Sequence, residues 1–156
     1  MHDDELLPPQ RVAWDLPLTS RKRVMEALSR LLTAEDPDLA ETVVYDSLLT
    51  RERLGSTALG HGVALPHGRV PGLEEARVAC LHTREGVDFE APDAEPVDLF
   101  CALVVPEQSA DEHVQLLARL ARVFSDAELR RRLREAPDVE TFYRLLLERL
   151  AMEGDR

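Results

Sequence analysis

From Leu99 to Val105 the chain is apolar at every position, L-F-C-A-L-V-V. A strand with one wet face would alternate apolar and polar residues, so this run predicts a central strand covered on both faces by helices. Two further runs, Val63 to Leu65 and Ala76 to Thr83, are rich in valine, leucine and cysteine and are bounded by glycine, proline or acidic residues, as buried strands are. Helical patterns flank them. Upstream, Ser20 is placed to cap a helix carrying Val24, Leu28, Leu31 and Leu32 on one face, and Pro37 opens a second with Leu39, Val43 and Leu48 at helical spacing. Downstream, Ser109 with Glu112 and Ser125 with Glu128 match the capping box, and Asp138 is placed to cap a last helix striped by Phe142, Leu146 and Leu150. With helices before and after the strands, the expected fold is α/β: a single domain with a mixed β-sheet sandwiched between helices. No period of roughly 20 to 50 residues recurs, which excludes repeat architectures.

At 156 residues and 44% hydrophobic content, the chain can bury a core without a disulfide or metal. Its two cysteines, Cys80 and Cys101, lie inside apolar runs and are expected to be buried free thiols, which fits a reducing cytoplasm. No leader and no apolar stretch near the roughly 20 residues of a membrane span is visible, so a cytoplasmic protein with no membrane insertion is expected. Thirty acidic against nineteen basic residues give a net charge of −11, which repels nucleic acid and favours encounter with a basic protein. The arginines at 130, 131, 132 and 134 are interleaved with glutamates and read as a solvated helix face.

The segment from Arg51 to Arg69, R-E-R-L-G-S-T-A-L-G-H-G-V-A-L-P-H-G-R, holds the candidate chemistry. His67 stands between Pro66, which biases Leu65 to an extended conformation, and Gly68, which leaves room for a bulky donor. The ring is expected at a strand end, open to a partner. His113 falls four residues after Ser109, near the positive end of a helix, where a neutral imidazole is favoured and an anion is welcome. Beside His67 it could hold the oxygens of a transferred phosphoryl group, with the Arg51 guanidinium neutralising them and the hydroxyls of Ser56 and Thr57 donating as well. G-S-T-A-L-G begins like a nucleotide-binding P-loop but lacks its lysine. His61, His67, His82 and His113 show no zinc spacing, so no metal is expected; His61 reads as a loop residue, His82 as a strand residue and His2 as part of a frayed terminus. No serine-hydrolase elbow is present.

These residues carry a resemblance. The Arg51–Arg69 segment, followed by V-D-L-F-C-A-L-V-V-P and D-E-H-V-Q-L-L-A-R-L-A, is similar to the type-2 IIA proteins of the bacterial phosphoenolpyruvate-dependent phosphotransferase system, and most like their nitrogen-regulatory branch. The domain is expected over residues 16–151, after a polar segment 1–15 and before a tail 152–156. The resemblance implies that His67 accepts a phosphoryl group from an HPr-like or NPr-like carrier, with His113 and Arg51 in support and no cofactor. Such an acceptor must be a neutral imidazole, so activity should fall below the ring pKa, about 6.5 when unperturbed. The regulatory form reports its phosphorylation state to target proteins, such as potassium transport systems or sensor kinases. A sugar-specific IIA, passing the group to a IIB domain, and a non-catalytic binding module of the same fold are the alternatives. L-G-S-T and P-H-G-R look more like the regulatory form.

Overall fold

The computed structural model describes residues 3–154; His2 and the tail residues 155 and 156 lie outside the described residues. Strand β6 (Val97–Pro106) is the central strand that the apolar run predicts. Its side chains alternate between two cores. Leu99, Cys101, Leu103 and Val105 pack towards α4 (Ala110–Phe124), α5 (Ala127–Glu135) and α6 (Val139–Met152), while Phe100, Ala102 and Val104 pack towards α2 (Arg21–Thr33) and α3 (Glu41–Arg53). With both faces covered, alternation of polarity is absent although alternation of direction persists.

Strand β5 (Arg77–Val87) runs antiparallel to β6, with Cys80 facing Cys101, and β1 (Val12–Leu16) lies parallel to β5 at the sheet edge. Both thiols are free and buried. On the other side of β6 come β3 (Val63–Ala64) and β4 (His67–Val70), both parallel to it, and β2 (Ala58–Gly60) pairs antiparallel with β3. Strands β3 and β4 form one edge in unbroken register, Val63 facing Leu99 and His67 facing Leu103. Pro66 interrupts it: the residue has no N–H to give, although its carbonyl still accepts from Leu103 N–H at 2.9 Å. The sheet is mixed and covered on both faces, as expected.

The local differences have identifiable causes. Ser20 and Asp138 cap α2 and α6 as predicted, accepting from the backbone N–H of Arg23 and Thr141. Ser109 makes no side-chain cap bond, and Ser125 closes α4 by donating to Arg122 O, so Asp126 caps α5 instead. The second helix starts at Glu41 and not at Pro37, because Asp36 accepts from Asp38 N–H and folds Pro37 into a turn. Within the segment expected to be a polar lead-in, α1 (Asp3–Leu6) and β1 form, with Leu6, Leu7 and Val12 buried. Among the described residues no helix is long and apolar enough to cross a membrane.

Candidate functional site

His67 is the first residue of β4, immediately after the Pro66 interruption. Its Nδ1–H donates to Leu65 O at 2.8 Å, a bond that turns one nitrogen onto the backbone and fixes the tautomer. Nε2 then keeps its lone pair and is the nitrogen left for the surroundings. The ring is 9% exposed, so the displayed imidazole of the sequence reading is in fact recessed. It remains reachable, because it lines two open clefts of about 610 and 640 Å³.

His113, on the first turns of α4, stands edge-on to His67, with ring centroids 5.2 Å apart and planes at 85°. Arg51 comes from the last turn of α3 and donates from Nη1 to Gly55 O at 2.8 Å. His67, His113 and Arg51 all line both clefts, and so does Arg69. The three residues proposed from sequence therefore meet, although 62 positions separate Arg51 from His113. Arg69 was given no role by sequence reasoning. The signal was available: it stands two residues after His67, and alternate residues of a strand share a face.

Burial is the main force lowering the His67 pKa, and the Arg51 charge adds to it, while the bond to Leu65 acts the other way. The His113 pKa is lowered too, first by burial and then by the charges of His67, Arg69 and Arg51. Both rings are therefore neutral at pH 7. The buried Nδ1 of His113 has no hydrogen-bond partner, which is uncommon for a buried polar atom.

The expected phosphate-loop supports behave differently. Ser56 lines the cleft, but its hydroxyl donates to Phe89 O at 2.6 Å. The Thr57 hydroxyl donates to Glu52 Oε1 at 2.6 Å and its N–H to Oε2 at 2.8 Å. Both hydroxyls are thus engaged within the protein, where they hold the loop. Gly68 is required by α3 as much as by any visitor: an added Cβ would overlap Ser47 Oγ and stand 3.1 Å from Ser47 O. Gly68→Ala is expected to break the bond from Ser47 Oγ to Arg69 O and to cost about 1–3 kcal/mol, read as a lower thermal unfolding midpoint.

The remaining histidines lie elsewhere. His61 occupies the β2–β3 turn with φ 57°, its N–H donating to Asp93 at 2.9 Å, and His82 is buried on β5, 4.0 Å from Asp98. Among the described residues no three His, Cys, Asp or Glu side chains form a metal-holding group.

Around the four polar residues the cleft walls are largely apolar, with Ser56 and Thr57 on one side and Asp46, Ser47 and Thr50 on the other as the polar exceptions. Leu59 and Val114 flank the cleft between β2 and α4, and Val43 and Leu54 flank the one between α3 and β4. Leu54 is 82% exposed and Val114 68%, which makes this an uncovered apolar rim about a charged centre.

Over residues 5–149 the chain matches the family described as "Phosphoenolpyruvate-dependent sugar phosphotransferase system, EIIA 2". It is 39% identical over 145 residues to the nitrogen regulatory protein of Pseudomonas aeruginosa, covering 93% of this chain and 94% of that protein. The crystal structure of nitrogen regulatory protein IIA-Ntr from Neisseria meningitidis superposes with a TM-score of 0.85 at 41% identity, covering 91% and 97%. IIA mannitol of Escherichia coli shares the fold, with a TM-score of 0.72 at 20% identity over 88% and 96% of the two chains.

Proposed function

The chain belongs to the EIIA type-2 family of the phosphoenolpyruvate-dependent sugar phosphotransferase system, and from that premise we propose that it is a phosphoryl carrier whose phosphorylation state is read by target proteins. An HPr-like carrier bearing a phosphohistidine is the donor, and His67 is the acceptor. One observation carries this reading: His67 holds its proton on Nδ1 against Leu65 O and keeps Nε2 free beside two arginines and a neutral histidine.

In the transfer, the Nε2 lone pair attacks phosphorus in line. The N–P bond to the donor histidine breaks as the new N–P bond forms, and the donor ring nitrogen takes the electron pair. Nδ1 stays protonated, and Leu65 O steadies the positive charge that the ring acquires. Arg51 and Arg69 neutralise the phosphoryl oxygens, and His113 donates to one of them. The exposed Leu54, Val43, Leu59 and Val114 supply the apolar contact surface on which the carrier seats. Free buried thiols at Cys80 and Cys101 fit a cytoplasmic setting.

The 39% identity to a nitrogen regulatory protein favours regulation as the output; potassium transport systems or sensor kinases are the targets that the family resemblance implies. The test is incubation with phosphoenolpyruvate, enzyme I and the carrier, followed by mass measurement at several pH values. One acid-labile phosphoryl group per chain is expected; no gain would leave only a binding module, and onward transfer to a IIB protein would make this a sugar-specific component.

The same assay carries a pH prediction. Protonation removes the Nε2 lone pair, and burial lowers the pKa of His67 from 6.5. The initial rate should therefore stay level as pH falls through neutrality and decline only below pH 6.5. Rates read between about pH 5 and 8, with carrier charging by enzyme I followed in parallel, check this. A midpoint above 6.5 would contradict it.

A further inference from the structure

Glu52 follows Arg51 on α3 but points the opposite way, into the protein, where it is 5% exposed. Among the described residues it forms no ion pair. A carboxylate taken out of water without a cation is costly unless its oxygens are satisfied, and both are, by a single residue: Thr57 N–H at 2.8 Å and the Thr57 hydroxyl at 2.6 Å. Two bonds lead onward from the loop that Thr57 ends. Thr57 O accepts Leu65 N–H at 3.1 Å, and Leu65 O is the group that takes the His67 proton. At the other end of the loop, Gly55 O receives Arg51 Nη1.

We propose that Glu52 is a positioning residue, a buried carboxylate that clamps the 55–57 loop and through it sets both the tautomer of His67 and the reach of Arg51. The proposal rests on His67 as the phosphoryl acceptor. No other carboxylate on α3 can take this part, since Glu41 and Asp46 lie on earlier turns. The rest of the loop is held by Leu54 N–H and Gly55 N–H on the end of α3, by the Ser56 hydroxyl on Phe89 O and by Leu65 N–H on Thr57 O, and none of these ties Thr57 to α3 as the two Glu52 bonds do. Leu65 stays bracketed by Ala64 and Pro66, both paired with β6, but without the clamp Thr57 shifts, the Leu65 N–H bound to its carbonyl shifts with it, and the Leu65 carbonyl no longer selects Nδ1 alone as the protonated nitrogen. The nucleophile then spends part of its time with the proton on the wrong side.

The test uses Glu52→Leu, of similar size but unable to accept, and Glu52→Gln, whose oxygen accepts Thr57 N–H while its amide donates to the Thr57 oxygen. Ring 15N shifts of unphosphorylated protein report the His67 tautomer directly, and phosphoryl uptake from the carrier is timed separately. Wild type should show the Nδ1–H form. Glu52→Leu should show both forms, and its rate constant for phosphoryl uptake at saturating carrier should fall by about 10- to 100-fold, with little change in the carrier concentration that gives half the maximal rate. Glu52→Gln should restore the single tautomer. A folded Glu52→Leu with the wild-type tautomer and rate overturns the proposal, as does Glu52→Gln behaving like Glu52→Leu. If Glu52→Leu does not fold, Thr57→Val, which removes one of the two clamping bonds, decides: a mixed tautomer supports the clamp, and an unchanged one overturns it. Because the tautomer is measured without the carrier, this result stands apart from whether His67 takes up phosphate.

Discussion

His67→Ala is expected to gain no phosphoryl group under conditions in which the wild-type chain is fully charged, a loss of more than about 10³-fold in rate. No neighbour can take over. The His113 ring stands at 85° to that of His67 with its Nδ1 buried, and in the proposed transfer it supports the phosphoryl group without accepting it. His61 and His82 lie outside both clefts. The fold should survive, since removing a 9% exposed ring at the edge of two open clefts leaves space that water can enter and frees one carbonyl, Leu65 O, beside that water. Mass spectrometry after acid and neutral work-up measures the result, with circular dichroism to confirm folding. Wild-type uptake by His67→Ala would move the acceptor to another residue. A companion His67→Asp, compared with His67→Ala in partner capture, would show which targets read the charge of the phosphorylated state.

The parts of this site that were legible in the sequence share a property: each follows from a residue and its chain neighbours. The run Leu99–Val105 specifies a strand buried on both faces because it is apolar throughout, and Ser20 and Asp138 cap helices because each short polar side chain accepts the backbone N–H three residues on. His67, His113 and Arg51 were assigned from local chemistry and from resemblance, but their meeting depends on β4 lying parallel to β6, so that the end of β6 delivers α4 over the ring. What stayed hidden is tertiary. Val12-Ala-Trp-Asp-Leu looks like a polar beginning until β5 pairs with it. Gly68 looks like an opening for a donor until Ser47 of α3 is found against it. Ser56 and Thr57 look like phosphate donors until Phe89 O and Glu52, 33 and 5 residues away in the chain, are seen to take their protons. In each case a partner distant from the local motif engages the group, and no local pattern announces that partner.

Arg51→Met should lower the rate of phosphoryl uptake by about 10²–10³-fold while leaving His67 able to react, because it removes a preorganised cation from the place where three phosphoryl oxygens gather negative charge. Nη1 is bound to Gly55 O, which restrains the guanidinium, and the residue lines both clefts. Arg51→Lys keeps the charge but neither the fork nor that restraint, so it should recover only part of the loss. A second readout separates charge from packing. The Arg51 charge contributes to lowering the His67 pKa, after burial, so its removal should move the acid limb of the rate profile to higher pH, though still below 6.5 because burial remains. A slower enzyme with an unmoved acid limb would mean that Arg51 acts by shaping the cleft or seating the carrier. A slower enzyme whose limb also rises would show that the guanidinium charge is felt at the nucleophile and at the group it receives.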